Sequence, residues 1–185
     1  MQTPLAQRAL RLRRDLAAAL GFVGVLWIAL ALDLFLPLEL LGITPRTLAG
    51  LPGVVAMPFL HAGVAHLLSN SVPLLVLLTL LATSRARPWA IVGAIVLTSG
   101  SLLWLFGRSG VHVGASSLVF GLVTFLVAAG ALERRMSTFL LAIAVALTYG
   151  TTLLLGVLPI TPGVSWDGHL AGAVAGAVVA RGAIR

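Results

Sequence analysis

The chain contains no cysteine and no lysine. Without cysteine there is no disulfide, no thiolate nucleophile and no cysteine-ligated zinc. Charge of either sign is scarce. Only 9% of the 185 residues are charged and five are acidic, against about 25% charged in an ordinary soluble domain. The formal charge of +7 comes entirely from arginine. Those arginines form no patch interleaved with aromatics, so nucleic acid is not an expected partner. A metalloprotease motif of the His-Glu-x-x-His kind is missing, and acidic ligands are few, so no metal or other cofactor is expected. An aspartyl intramembrane protease would need two membrane aspartates, and Asp33 and Asp167 lack the surrounding pattern. No internal repeat of the transporter type is visible.

What the chain does have is apolar length. It is 59% hydrophobic, with a mean hydropathy of +1.11, so the lipid bilayer is its expected solvent. A membrane helix needs about 20 apolar residues. Six candidates appear, at roughly Leu16–Leu36, Leu60–Thr83, Trp89–Phe106, Ala115–Leu132, Ser137–Leu158 and Gly168–Ala180. The first run exceeds the ~7–15 apolar residues of a secretory signal and is read as a retained span, with an organelle transit segment as the alternative for its arginine-rich, acid-poor start. The fold class is therefore all-α, a polytopic six-span bundle over residues 16–181, with short tails at 1–15 and 182–185. If the spans alternate, ten of the twelve arginines fall on one side; only Arg46 and Arg108 fall on the other. The positive-inside rule then makes both termini cytoplasmic. The loops Pro37–Pro58, Gly107–Gly114 and Pro159–Asp167 lie outside. The composition suggests a bacterial plasma membrane.

Three spans carry polar residues where lipid penalises them, and such residues mark interior sites. In Gly114-Ala115-Ser116-Ser117, glycine permits a sharp turn ahead of a serine at a helix start. Unpaired N–H groups there favour developing negative charge. A serine hydroxyl needs a base, and His169 at the start of the last span is the candidate. Gly168, Gly172 and Gly176 line one face of that span, and Ser117 and Gly121 repeat the spacing on span 4. Small-xxx-small faces allow close approach in membranes, which would carry His169 toward Ser116. In span 2, His66 and Asn70 are four apart and share a face. Two donors aimed at one point suit a tetrahedral oxyanion.

These motifs resemble those of the rhomboid family of intramembrane serine proteases. The matching pieces are His-x4-His-x3-Asn from His61 to Asn70, Gly-x-Ser at Gly114–Ser116, and His-x2-Gly-x3-Gly from His169. They occur in the family's order on the expected spans. The resemblance implies a Ser116–His169 dyad without a carboxylate. It implies an oxyanion hole of His66, Asn70 and the Ser116 backbone N–H. Gly114 would shape the active-site loop, Phe120 would stack on the base, Gly172 would pack the helix carrying it, and His61 would brace the outer loop. The substrates would be transmembrane segments of other proteins. The alternative is an inactive relative that binds or chaperones membrane clients. Two departures stand out. Ser117 replaces the glycine that often follows the serine. The first outer loop keeps Arg46 but lacks the tryptophan of the family's Trp-Arg pair. His112 reads as a loop histidine. Asp167 reads as pointing away from His169. The motifs carry no information on oligomeric state.

Overall fold

The computed structural model describes residues 4–184; residues 1–3 and 185, parts of the expected tails, lie outside the described residues. Six long helices dominate: α1 (Pro4–Asp33), α2 (Val64–Ser84), α3 (Pro88–Phe106), α4 (Ser116–Leu132), α5 (Met136–Gly156) and α6 (Trp166–Ala183). Three short helical turns, Leu38–Leu41, Gly53–Ala56 and Met57–Phe59, fold the long α1–α2 connection. Among the described residues the bridge pairing between Ile43 and His112 stands outside any strand. The fold is all-α and polytopic. α1, α2, α3 and α5 are each long and apolar enough to cross a bilayer. α4 has 17 residues, about 26 Å of helix at 1.5 Å per residue, short of a hydrocarbon core of about 30 Å.

Helix ends differ from the apolar runs for local reasons. α1 begins at Pro4 rather than near Leu16, since Arg8, Arg11, Arg13 and Arg14 continue the helix beyond the apolar stretch and arginine is a good helix former. α2 begins at Val64 rather than near Leu60 because Gly63, at φ 147°, turns the chain first. α6 begins at Trp166, where the Ser165 hydroxyl caps it by accepting the Gly168 N–H.

α4 is the central post. Leu118, Leu122, Phe125, Leu126 and Ala129 on it are all fully buried. Its closest neighbour is α6. A Cβ on Gly172 would collide with the Ser117 carbonyl, and one on Gly176 with the Gly121 carbonyl. The Thr124 hydroxyl donates across the seam to the Ala173 carbonyl at 2.9 Å. Small residues let two backbones pack this closely where lipid supplies no hydrophobic drive between helices. α5 is the opposite case. Only Ala142 and Val145 are buried along it, and Leu147 and Leu154 face outward. An apolar exterior of this kind is stable against acyl chains rather than water.

The α1–α2 connection is anchored without a tryptophan of its own. Trp104, from α3, donates its indole N–H to the Thr47 carbonyl at 2.9 Å. Arg46 sends Nη1 to the carbonyls of Leu105 (3.3 Å) and Gly107 (2.7 Å), closing the end of α3. At the far end of the bundle Arg85 pairs with Glu133 and lies over the Phe125 ring.

Candidate active site

Ser116 is the first residue of α4. Two contacts fix the segment before it. The Gly114 N–H donates to the Met57 carbonyl at 3.1 Å, and the Ala115 N–H donates to His61 Nε2 at 3.4 Å. The first intrahelical bond of α4 runs from the Val119 N–H to the Ala115 carbonyl. The N–H groups of Ser116, Ser117 and Leu118 therefore form the open first turn, with the positive end of the helix dipole behind them. The two serines differ in surroundings. Ser116 is half-buried and lines a cavity. Ser117 is buried, and its hydroxyl has no hydrogen-bond partner among the described residues.

His169 lies in the first turn of α6, held on two sides. Its ring stacks on Phe120, with centroids 4.1 Å apart and planes 12° from parallel. Its Nδ1 sits 2.8 Å from the Gly156 carbonyl oxygen at the end of α5. A carbonyl only accepts, so this bond assigns the hydrogen to Nδ1. Nε2 of the neutral ring then keeps a free lone pair. Gly156 must be glycine for the arrangement to fit. A Cβ there would collide with the Phe120 ring and sit 3.2 Å from Nδ1.

On α2, His66 passes over Gly114. A Cβ on Gly114 would lie 2.7 Å from the His66 ring, and the glycine's φ of 117° is itself unfavourable for any side chain. Asn70 is buried and donates one Nδ2 hydrogen to the His66 carbonyl at 3.0 Å, leaving the second for another acceptor. His61 precedes α2 and meets His66 edge-on, ring centroids 5.1 Å apart. Burial first, and the neighbouring His66 second, lower the His61 pKa to about 4, so it accepts the Ala115 N–H as a neutral ring.

Ser116, His169, His66, Asn70 and Phe120 all line one cavity of about 810 Å³. Gly114, His61 and Gly172 stand behind that lining: the first two against His66 and Ala115, the last against Ser117. No hydrogen bond joins Ser116 to His169 among the described residues. A Rhomboid domain family model matches residues 49–185.

The chain belongs to the rhomboid family.

Its similarity to curated proteins extends over α1 as well. This rhomboid-family chain is 37% identical over 193 residues to an uncharacterized protein of Mycobacterium tuberculosis, covering 97% of this chain and 80% of the relative. The same figures hold for an uncharacterized protein of Mycobacterium bovis. An uncharacterized protein of Mycobacterium leprae is 40% identical over 138 residues, covering 69% of this chain and 54% of that one. A rhomboid domain with four bilayer-length apolar helices makes this an integral membrane protein.

Several residues of this rhomboid-family site carried no motif. Gly156 acts through its carbonyl, which no spacing rule signals. Tyr149 and Thr152 line the cavity from α5. The Asp167 carboxylate turns from His169 toward Arg108 and Ser165. His112 is buried against Ser165 and the Arg108 carbonyl.

Proposed function

We propose that this protein is an intramembrane serine endopeptidase that cuts transmembrane segments of other proteins. The observation that carries the reading is the shared cavity. It lines up a serine at an open helix start, a histidine whose Nε2 is left free to accept a proton, and two polar side chains of α2.

Ser116 Oγ attacks the scissile carbonyl carbon while Nε2 of His169 takes the hydroxyl proton. The carbonyl oxygen becomes an oxyanion facing the Ser116 N–H, Asn70 Nδ2 and the His66 ring. As the C–N bond breaks, the imidazolium returns that proton to the leaving amine. Water then enters, gives a proton to His169 and attacks the acyl-enzyme; the ester C–O bond breaks as His169 returns that proton to Ser116 Oγ, which frees the serine. The Gly156 carbonyl holds the ring's other nitrogen throughout, in the place a carboxylate takes in a triad. A substrate helix hides its carbonyls in hydrogen bonds, so it must unwind locally; small or helix-breaking residues near the cut favour this. α5, the least buried helix, and the Pro159–Asp167 loop are the elements that move to admit it.

The site lies at the ends of α2, α4 and α6 opposite most of the arginines. With both termini cytoplasmic, the cavity opens to the exterior side of a bacterial plasma membrane.

The missing Ser116–His169 hydrogen bond favours a second reading, a client-binding protein without activity. Catalytic hydrogen bonds often tighten only in the complex with substrate, and activity separates the two readings. The purified protein in liposomes is incubated with a single-span substrate, beside Ser116→Ala and His169→Ala. Cleavage that disappears in both variants supports the dyad; cleavage persisting in both ends it. Labelling of Ser116 by a fluorophosphonate separates an activated hydroxyl from an inert one.

A further inference from the structure

At the edge of the cavity, where His112 and Ser165 belong to its lining and Arg108 and Asp167 stand behind it, one polar cluster joins the two segments that carry the reacting groups. Asp167 is 9% exposed and lies two residues before His169. Its Oδ2 accepts the Arg108 backbone N–H at 2.8 Å. Its Oδ1 accepts Arg108 Nη2 at 3.2 Å and the Ser165 hydroxyl at 3.1 Å. His112, four residues before Ser116, is 7% exposed. Its Nδ1 is 2.7 Å from Ser165 Oγ and its Nε2 is 2.9 Å from the Arg108 carbonyl. The Arg108 guanidinium also covers the Trp166 ring at 5.0 Å. The Arg108–Asp167 bonds, the His112–Ser165 bond and the Arg108–Trp166 contact span the gap between the α3–α4 loop and the N-terminus of α6; the Ser165–Asp167 and His112–Arg108 bonds brace one side each.

We infer that this cluster is a latch that sets the separation of Ser116 and His169, with Asp167 as its principal positioning residue. The inference rests on the peptidase reading above. The reason is mechanical. Below the latch, α4 and α6 are locked by Gly172 and Gly176. Above that seam the α3–α4 loop and the α6 cap have no shared backbone ladder, so side chains must tie them. An exposed ion pair contributes little. Asp167, by contrast, is buried and multiply hydrogen-bonded, and removing one partner leaves the others unsatisfied. Asp167 touches neither substrate nor the His169 ring. It acts on rate through geometry, where a misplacement of about 1 Å costs roughly 100-fold.

The test compares full-length protein in liposomes with its Ser116→Ala, Asp167→Asn, Asp167→Glu and His112→Phe variants. The readouts are kcat and KM for a single-span substrate and the rate of fluorophosphonate labelling. The latch requires that Asp167→Asn lower kcat by about 10- to 100-fold with KM within about twofold. Labelling must fall in parallel, since it reports alignment without substrate. Asp167→Glu, which keeps the charge, should recover most of the rate. His112→Phe, which keeps a ring but no donors, should lower kcat and slow labelling in parallel. If Ser116→Ala is inactive while Asp167→Asn keeps its kcat, the latch is refuted and the peptidase stands. A loss that Asp167→Glu does not rescue, accompanied by a lower thermal midpoint, also refutes positioning, because it marks general damage. Cleavage by Ser116→Ala overturns both the latch and the reading beneath it.

Discussion

The His169 ring lies flat against Phe120, with centroids 4.1 Å apart. Phe120 follows Ser116 by one turn of α4, so the helix that presents the serine also supports the histidine. A stacked aromatic pair contributes about 0.5–1.5 kcal/mol beyond its area. Phe120→Leu keeps an apolar filler and removes the stack. Cleavage should fall by roughly 2- to 13-fold on that energy, with Phe120→Tyr close to the parent. Equal kcat in all three proteins would show that the stack does not orient the ring.

Gly156 faces the same stack from α5. Gly156→Ala leaves its carbonyl in place but drives a methyl into Phe120 and toward Nδ1. Rate should drop by about 100-fold or less while the protein stays folded. Fluorophosphonate labelling should slow with it, and unchanged labelling would dissociate Gly156 from the ring's position.

Gly114→Ala tests the other side of the cavity. The new methyl would lie 2.7 Å from the His66 ring at a φ of 117°. Displacing one oxyanion donor costs about 100- to 1000-fold in rate. The kcat of Gly114→Ala should fall in that range and match His66→Ala. A much milder loss in His66→Ala would remove that ring from the oxyanion hole.

Gly172→Val tests the seam rather than the chemistry. Its side chain must enter the backbone of α4 at Ser117. Overpacking of this kind costs about 1–3 kcal/mol. Denaturation in mixed detergent micelles should show a loss of that size. A neutral result would mean the two helices can separate freely.

His61 gives a pH signature. Its pKa is held at about 4 against 6.5 for the free side chain. Between those values the unfolded chain binds a proton that the folded one refuses. Stability should therefore decline as pH falls from 6.5 toward 4, by at most about 1.4 kcal/mol per pH unit. Above 6.5 the site contributes no slope. Thermal midpoints of His61→Gln should fall less steeply over that window than those of the parent.

The six long helices were legible because a bilayer imposes a simple rule on length and polarity, although only four of them, α1, α2, α3 and α5, are long and apolar enough to cross it. The glycine seam was legible from a four-residue spacing. The helix ends were not. α1 runs back to Pro4 because helix formation does not stop where apolarity does, and α2 waits for Gly63 to turn. Anchoring of the α1–α2 connection was hidden as well, since its tryptophan comes from Trp104 on another helix.

Ser116, His169, His66 and Asn70 could be nominated from residue type and spacing, which are local properties written along the chain. What holds them is not local. The Gly156 carbonyl on His169 and the Asp167 carboxylate on Arg108 join residues 13 and 59 positions apart. Backbone carbonyls are the same at every position, and a buried carboxylate can turn to any donor within reach. Only packing in three dimensions chose those partners, and with them the tautomer of His169 and the direction in which Asp167 faces.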